Sequence, residues 1–184
     1  MSTHLQSEAA ALAAAGPDHW IETLEDGSHV LIRPLRSEDR ELERAFLERL
    51  SPLTRKLRFH AVVKISDALL DSLMDVDYQQ NMAFIALAHV DGELREVGIS
   101  RYAAGEASGQ CECALTVADE WKRRGLEQVL MRRLIEVARR NGFSEMYSVD
   151  QAIDRDMRDL ARELGFCAQF DPDDATRVVR RLEL

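Results

Sequence analysis

Three basic residues in a row, Lys122, Arg123 and Arg124, stand directly before Gly125, between a strand-like segment and a helix-like one. Residues 111–117, CECALTV, are β-branched and apolar enough for a strand, and Ala118-Asp119-Glu120 breaks it. From Leu126 the apolar residues recur at Val129, Leu130, Leu134, Val137 and Ala138, the stripe of an amphipathic helix, and Asn141-Gly142 supplies its stop. A strand that turns tightly into a helix directs unpaired backbone N–H groups and the positive end of the helix dipole at one point. Such a junction binds anions, phosphate above all, and the three cations add charge of the same sign. An ordinary strand–turn–helix unit with a solvated basic loop has the same outline, so these residues alone leave both readings open.

Glu112 is the one acid in the strand CECALTV, and alternation sends it to the face opposite Cys111 and Cys113. Taken by itself it reads as an exposed edge glutamate. Cys111-x-Cys113, with Cys167 and five scattered histidines, offers no paired ligand motif at zinc spacing. Two buried strand cysteines and no metal are expected. No G-x-S-x-G or metalloprotease motif occurs, and no histidine is placed in sequence to activate a thiolate. Residues 53–60, LTRKLRFH, read as a solvated basic loop. Its Arg55, Lys56 and Arg58 could also steer an acidic partner or approach a phosphate.

A chain of 184 residues, 46% apolar and 31% charged, suits one soluble domain with a proper core. A net charge of −9 argues against a general binder of nucleic acid or anionic membrane, so local basic clusters need a local explanation. Three cysteines, an odd number with no secretory signal, point to the reducing cytoplasm. No run approaches the ~20 apolar residues of a membrane span.

Along the chain, residues 1–19 are Ala-rich, end near Gly16-Pro17 and read as a flexible tail. Residues 20–24 and 29–34 read as strands around the turn Glu25-Asp26-Gly27. Ser37 caps an expected helix with Leu42, Ala45, Phe46 and Leu50 inward, stopping near Ser51-Pro52. Ser66 caps another that carries Leu69, Leu70, Leu73 and Met74. Residues 82–90, MAFIALAHV, are apolar on both faces, as an interior strand should be, and turn through Asp91-Gly92 into a partner over 94–103. After the long helix comes a strand at 146–149. A helix bearing Ile153, Met157, Leu160, Ala161 and Leu164 follows, with Gly165 past its end. Residues 166–170 and 176–184 form a closing antiparallel pair.

The junction resembles motif A of the GNAT acyltransferases, V-x-D-x-W-Q-G-R-G-L-G, where this chain has V-A-D-E-W-K-R-R-G-L-E. The family's Q/R-x-x-G-x-G/A falls on Lys122, Gly125 and Glu127. Over roughly residues 20–184 the phrases HVLIRPLRSED, LERLSPLTRKLRF, VDYQQNMAFIAL, VGISRY, CECALTV and MRDLARELGF are similar, in order, to the acetyltransferase domain of bacterial Pat-type protein lysine acetyltransferases. The resemblance implies an α/β (α+β) GNAT fold, a mixed, mostly antiparallel sheet flanked by helices, in a single domain over 20–184.

It also implies an activity: acetyl transfer from acetyl-CoA to an amine, a protein lysine, by direct attack on the thioester. In the matching motif A-E-x-A-x-x-V the glutamate is the general base, which here is Glu112. The resemblance places the pantetheine arm against the backbone of Leu115, Thr116 and Val117, and the phosphates near Lys122, Arg123, Arg124 and Gly125. Two residues depart from the pattern. Glu127 replaces a small residue, and its carboxylate is expected to fold toward the helix N-terminus and occupy the anion site, so that CoA must displace it. Asp154 replaces an asparagine and loses a donor, though it can still cap a helix. These departures support an alternative, a degenerate domain serving as a regulatory or interaction module. A small-amine acetyltransferase is a third reading. The partners implied are an acceptor amine and acetyl-CoA, with no nucleic acid, membrane or metal, and a homodimer is allowed.

Overall fold

The apolar run from Met82 to Ala88 is buried without a break and forms the middle of the molecule. It belongs to β3 (Asn81–Val90), which is flanked by β2 (His29–Pro34) and β4 (Glu93–Ala104), both antiparallel to it. A strand with neighbours on both edges and helices on both faces has no polar side to show, which is why its sequence does not alternate. The computed structural model describes residues 19–184, so the expected N-terminal tail, residues 1–19, lies outside the described residues except for His19. One eight-stranded sheet has the order β1-β2-β3-β4-β5-β6-β8-β7, completed by β1 (Trp20–Thr23), β5 (Gln110–Val117), β6 (Glu145–Gln151), β7 (Cys167–Phe170) and β8 (Arg177–Glu183). Every neighbouring pair is antiparallel except β5 and β6. The expected mixed, mostly antiparallel sheet is therefore present.

Helices α1 (Arg40–Arg49), α2 (Pro52–Phe59), α3 (Asp67–Met74), α4 (Leu126–Arg140) and α5 (Arg155–Glu163) flank it. Among the described residues no helix is long and apolar enough to cross a membrane. The helix α4 lies against the face of β4 that presents Gly98, Ser100 and Tyr102. There the Ser100 hydroxyl donates to the Leu130 carbonyl at 3.2 Å, and a Cβ on Gly98 would come within 3.1 Å of Leu130. The opposite face carries Arg101, which donates to Glu43 of α1 at 3.3 Å. A bulge at Val97 pairs Glu96 with Leu87 and Gly98 with Ala86, and so turns Glu96 to the Arg101 side. Burial, and then the neighbouring Glu43, push the Glu96 carboxyl well above its ordinary range, so it is held neutral while Glu43 and Arg101 form the ion pair.

Three expectations need correction. Ser37 does not cap α1: it opens a single 3-10 turn, Ser37–Asp39, and α1 follows with Asp39 in the cap position. Residues 53–60 are not a loop: α2 occupies Pro52–Phe59. Ser51-Pro52, read as a stop, is also a start. The Ser51 hydroxyl accepts the Thr54 N–H at 3.2 Å, and Pro52 takes the first helical position, where its missing donor costs nothing. Ile153, expected on the inner face of the last helix, precedes α5 and is 69% exposed. The helix begins one residue after its cap, Asp154.

The first turn of α2 is fastened to the turn after β5. Asp119 accepts from Ser51 N–H at 3.0 Å and from the Thr54 hydroxyl at 2.6 Å, and pairs with Lys122 at 3.1 Å. Burial by itself raises this carboxyl, but the hydrogen bonds from Thr54, Ser51 and Lys122 outweigh it and bring Asp119 down to about 2 from 3.8. Because the folded value is depressed, its stabilisation is present above 3.8 and is lost as pH falls through about 2. Asp119→Asn is therefore expected to melt at a lower temperature than wild type at pH 7, with the gap closing between pH 4 and pH 2. Thermal melts at three pH values test this, and a constant gap would assign the loss to something other than the charge.

Candidate active site

The parallel ladder between β5 and β6 is three rungs long, Gln110↔Glu145, Cys111↔Met146 and Glu112↔Tyr147. Beyond Glu112 the strands part. β5 continues to Val117 bonded only to β4, and β6 continues to Gln151 bonded only to β8. The edge of β5 from Cys113 to Val117 that faces β6 is therefore unpaired with it, and a cleft of about 260 Å³ opens along it. Leu57, Arg58 and Phe59 of α2 form one side, and Asp154, Met157 and Leu160 around α5 the other. Lys122 and Glu127 lie at the Val117 end.

Glu112 sits on the last rung, exposed, where the strands begin to separate. The hydroxyl of Tyr147, its partner on β6, stands 3.5 Å from Glu112 Oε2. Burial, then the charge of Glu112, raise the Tyr147 phenol above its ordinary value, so it keeps its proton beside the carboxylate. No local sequence signal marks Tyr147; only the parallel register brings it to Glu112. Cys111 and Cys113 are buried on the opposite face, and burial pushes the Cys111 thiol up to about 12. Neither is poised as a nucleophile.

Of the residues singled out in the sequence, Glu112, Leu115, Thr116 and Val117 line the cleft, as do Lys122, Glu127 and Asp154. The Lys122 ammonium donates to the Thr54 hydroxyl at 2.7 Å as well as pairing with Asp119. Gly125 caps α4 with φ +87°, a left-handed conformation that brings the turn after β1 against it; a Cβ there would meet Glu25 at 3.3 Å. Arg123 and Arg124 do not line the cleft. The Arg123 side chain is 81% exposed and pairs with Asp156 at 3.1 Å. Arg124 bonds Asp26 at 2.8 Å and the Glu120 carbonyl, and stacks over Trp121.

Glu127 reaches back out of the first turn of α4 and accepts the Arg123 N–H at 3.2 Å. Arg123 itself has φ +60°, so a strained residue presents the donor that the carboxylate takes. Burial raises the Glu127 carboxyl above its ordinary value. Asp154 is likewise raised, first by burial, and its carboxylate caps α5 by accepting the Met157 N–H at 3.0 Å. The end of the cleft with helix N-termini thus already holds two carboxylates on backbone donors.

A model of the acetyltransferase (GNAT) family matches residues 48–166. An acetyltransferase of Pseudomonas aeruginosa is 64% identical over 179 residues, which are 97% of this chain and 96% of that protein. The GNAT domain of S. lividans PAT has a TM-score of 0.80 at 20% identity, over 90% of this chain and 97% of that one. The PaiA N-acetyltransferase of Thermoplasma acidophilum, solved in complex with coenzyme A, has a TM-score of 0.60 at 13% identity, over 84% of this chain and 99% of that one. At these identities the two solved structures bear on the fold.

Replacing Glu127 by glycine frees the Arg123 N–H and removes a negative charge from the helix N-terminus. Acetyl-CoA is expected to bind Glu127→Gly more tightly than wild type, while the melting temperature falls through a lost dipole partner and a more flexible backbone, about 1 kcal/mol together. Protonation of Glu127 neutralises the same charge, so wild-type affinity should rise as pH falls through its raised pKa, and the variant should lack that dependence. Calorimetry at two pH values checks both, and equal affinity in the two proteins would remove Glu127 from the anion site.

Proposed function

The chain belongs to the acetyltransferase (GNAT) family, and we propose that it transfers the acetyl group of acetyl-CoA to a protein lysine by direct attack, with Glu112 as general base. The observation that carries this reading is the position of Glu112, at the point where β5 and β6 part and at the border of two cavities. It lines the cleft along β5 and also a second cavity over β4 and β5. A thioester held in the first and an amine entering through the second meet beside its carboxylate.

An alkylammonium has an ordinary pKa of about 10.4 and cannot attack until it loses a proton. The exposed Glu112 carboxylate takes that proton directly or through water, and the Tyr147 hydroxyl beside it orients the accepting oxygens. The amine nitrogen then bonds to the acetyl carbonyl carbon, the carbon–sulfur bond breaks, and CoA leaves as a thiolate that regains a proton. No covalent acyl-enzyme is needed, in keeping with cysteines whose thiols burial holds protonated. The free edge of β5 at Leu115, Thr116 and Val117 offers backbone groups to the amides of the pantetheine arm. Lys122 and the N–H groups around Gly125 face the phosphates. In this reading Arg123 and Arg124 reach the phosphates by leaving Asp156 and Asp26. With all three cysteines free, the protein suits the reducing cytoplasm.

One observation favours a second reading, a domain that has lost turnover and acts as an interaction module. The donor at Arg123 is already taken by Glu127, and Asp154 adds a carboxylate nearby.

Glu112→Gln preserves size and hydrogen bonding but removes the base. Its acetyl-CoA affinity is expected to stay near that of wild type, while turnover of a lysine peptide falls by about 10²–10⁴-fold near neutral pH. Calorimetry and steady-state rates separate the two effects. Unchanged turnover would take Glu112 out of the mechanism, and wild type that neither binds acetyl-CoA nor turns over would leave the interaction module.

A further inference from the structure

Register fixes what lies over the second cavity. Arg101 pairs with Ala114 and Ala103 with Glu112, so these four residues project from one face of β4 and β5. A cavity of about 190 Å³ covers that face, closed on its sides by the end of α3, the start of β3 and the last turn of α2. The residue contributed by α2 is Arg58, and Arg58 lines the main cleft as well. Both cavities therefore share Glu112 and one arginine.

The state of that arginine is unusual. Among the described residues the Arg58 guanidinium has no hydrogen bond and no ion pair; it rests over the Phe59 ring, 4.8 Å from the centroid. It is half-buried, so water does not freely replace the missing partners. Arg101 is close but satisfied, bonded to Glu43 and to the Leu73 carbonyl at 3.0 Å. Burial, then repulsion from Arg101, lower Arg58 to about 10 against the smaller opposing pull of Glu43 and Glu112, which leaves it charged at neutral pH with no acceptor in hydrogen-bond reach. Five N–H donors kept partly out of water with no acceptor are costly unless something supplies one.

The placement of α2 says which end of the cleft Arg58 serves. Thr54, in its first turn, bonds Asp119 and Lys122 beyond the Val117 end of β5. The helix then runs back along the strand, and Arg58 arrives near Glu112. At about 3.3 Å per residue, Glu112 and Val117 lie about 16 Å apart. Arg58 is thus at the end where the acyl group is transferred, remote from the N-terminus of α4.

We propose that Arg58 receives a carboxylate carried by the acceptor beside its reacting amine, and that the enzyme thereby selects acceptors pairing an amine with an anionic group. The inference rests on Glu112 being the base that receives that amine. A planar guanidinium binds a carboxylate through two parallel hydrogen bonds, which fixes direction as well as strength. The carboxylate has two sources. It is an aspartate or glutamate next to the acceptor lysine, or the acceptor's own carboxylate when the acceptor is a free amino acid.

Two matched pairs of acceptors separate these sources. One is a lysine peptide flanked by glutamate against the same peptide flanked by glutamine. The other is 6-aminohexanoate against pentylamine. In wild type the carboxylate-bearing member of one pair is expected to have the higher kcat/KM, by about 10–100-fold, and which pair shows it names the source. Arg58→Gln is expected to bring that ratio close to one, chiefly through KM, and Arg58→Lys to restore part of it. No preference in either pair, or a ratio kept in Arg58→Gln, overturns the inference. So does an Arg58→Gln whose loss appears in acetyl-CoA affinity and not in the acceptor ratio.

Absence of acetyltransferase activity altogether has a different appearance, since no acceptor of any charge is then acetylated. In that case calorimetry with the glutamate-flanked peptide and with 6-aminohexanoate still decides the site. Binding to wild type that Arg58→Gln abolishes supports an anion subsite, and no binding of either ligand overturns it.

Discussion

The parting of β5 and β6 after a three-rung ladder is the constraint on which the site depends. A parallel pair held together to its end would spend its backbone groups on itself and leave no cleft. By separating at Glu112 and Tyr147, the strands leave a stretch of β5 whose other edge is satisfied by β4 but whose near edge is free. Buried backbone groups are nearly always paired, so a free edge inside a fold is open either to water or to an extended ligand that supplies the missing partners. The catalytic candidate sits at the apex for the same reason. The last paired residue is the one whose side chain stands at the junction of ladder and cleft.

Separation carries a structural cost that the rest of the fold offsets. β6 is kept in place by seven antiparallel pairs to β8, and β5 by seven to β4, so neither strand depends on the other beyond three rungs. The walls of the cleft come from helices held by polar contacts at their first turns. Asp119 fixes α2 through Ser51 and Thr54, and Asp154 caps α5. The electrostatics follow from the same economy. Asp154 and Glu127 are both on backbone donors at helix starts, where the dipole favours them, but both are raised by burial. Both therefore stand at the Val117 end of the cleft, each held on a backbone N–H.

Much of the fold could be read from periodicity and punctuation. The unbroken run of residues 82–88 and the stripe from Leu126 to Ala138 gave a buried strand and an amphipathic helix that the structure contains. The helix α2 was lost because Ser-Pro is ambiguous, ending one helix and beginning another within two residues, and because basic residues at 55, 56 and 58 imitate a solvated loop. In the site, the strand residues, Lys122, Glu127 and Asp154 come together around one cleft. Arg123 and Arg124 show what sequence cannot supply. Adjacent cations share a composition but not a direction, and here each has found an acid on a different element, Asp156 in α5 and Asp26 between β1 and β2. Tyr147 is invisible for the opposite reason, since its place beside Glu112 comes only from a pairing between strands 27 residues of helix and turn apart.

The misread helix is also the piece that joins the two ends of the site. Eight residues of α-helix are about 12 Å long at 1.5 Å per residue, close to the stretch of β5 along which α2 lies. Its first turn answers to Asp119 and Lys122, at the end where phosphates are expected. Its last turn delivers Arg58 to the neighbourhood of Glu112. A helix is stiff over this distance, so a change in the grip of Asp119 on Ser51 and Thr54 is transmitted to Arg58 as a displacement and not absorbed as a bend. The helix whose first turn holds Lys122 also carries Arg58 toward Glu112. Had α2 been the solvated loop that its composition suggested, the two ends would be free to vary separately. Because it is a capped helix fastened at its first turn to Asp119, one stiff element spans from Thr54 to Arg58.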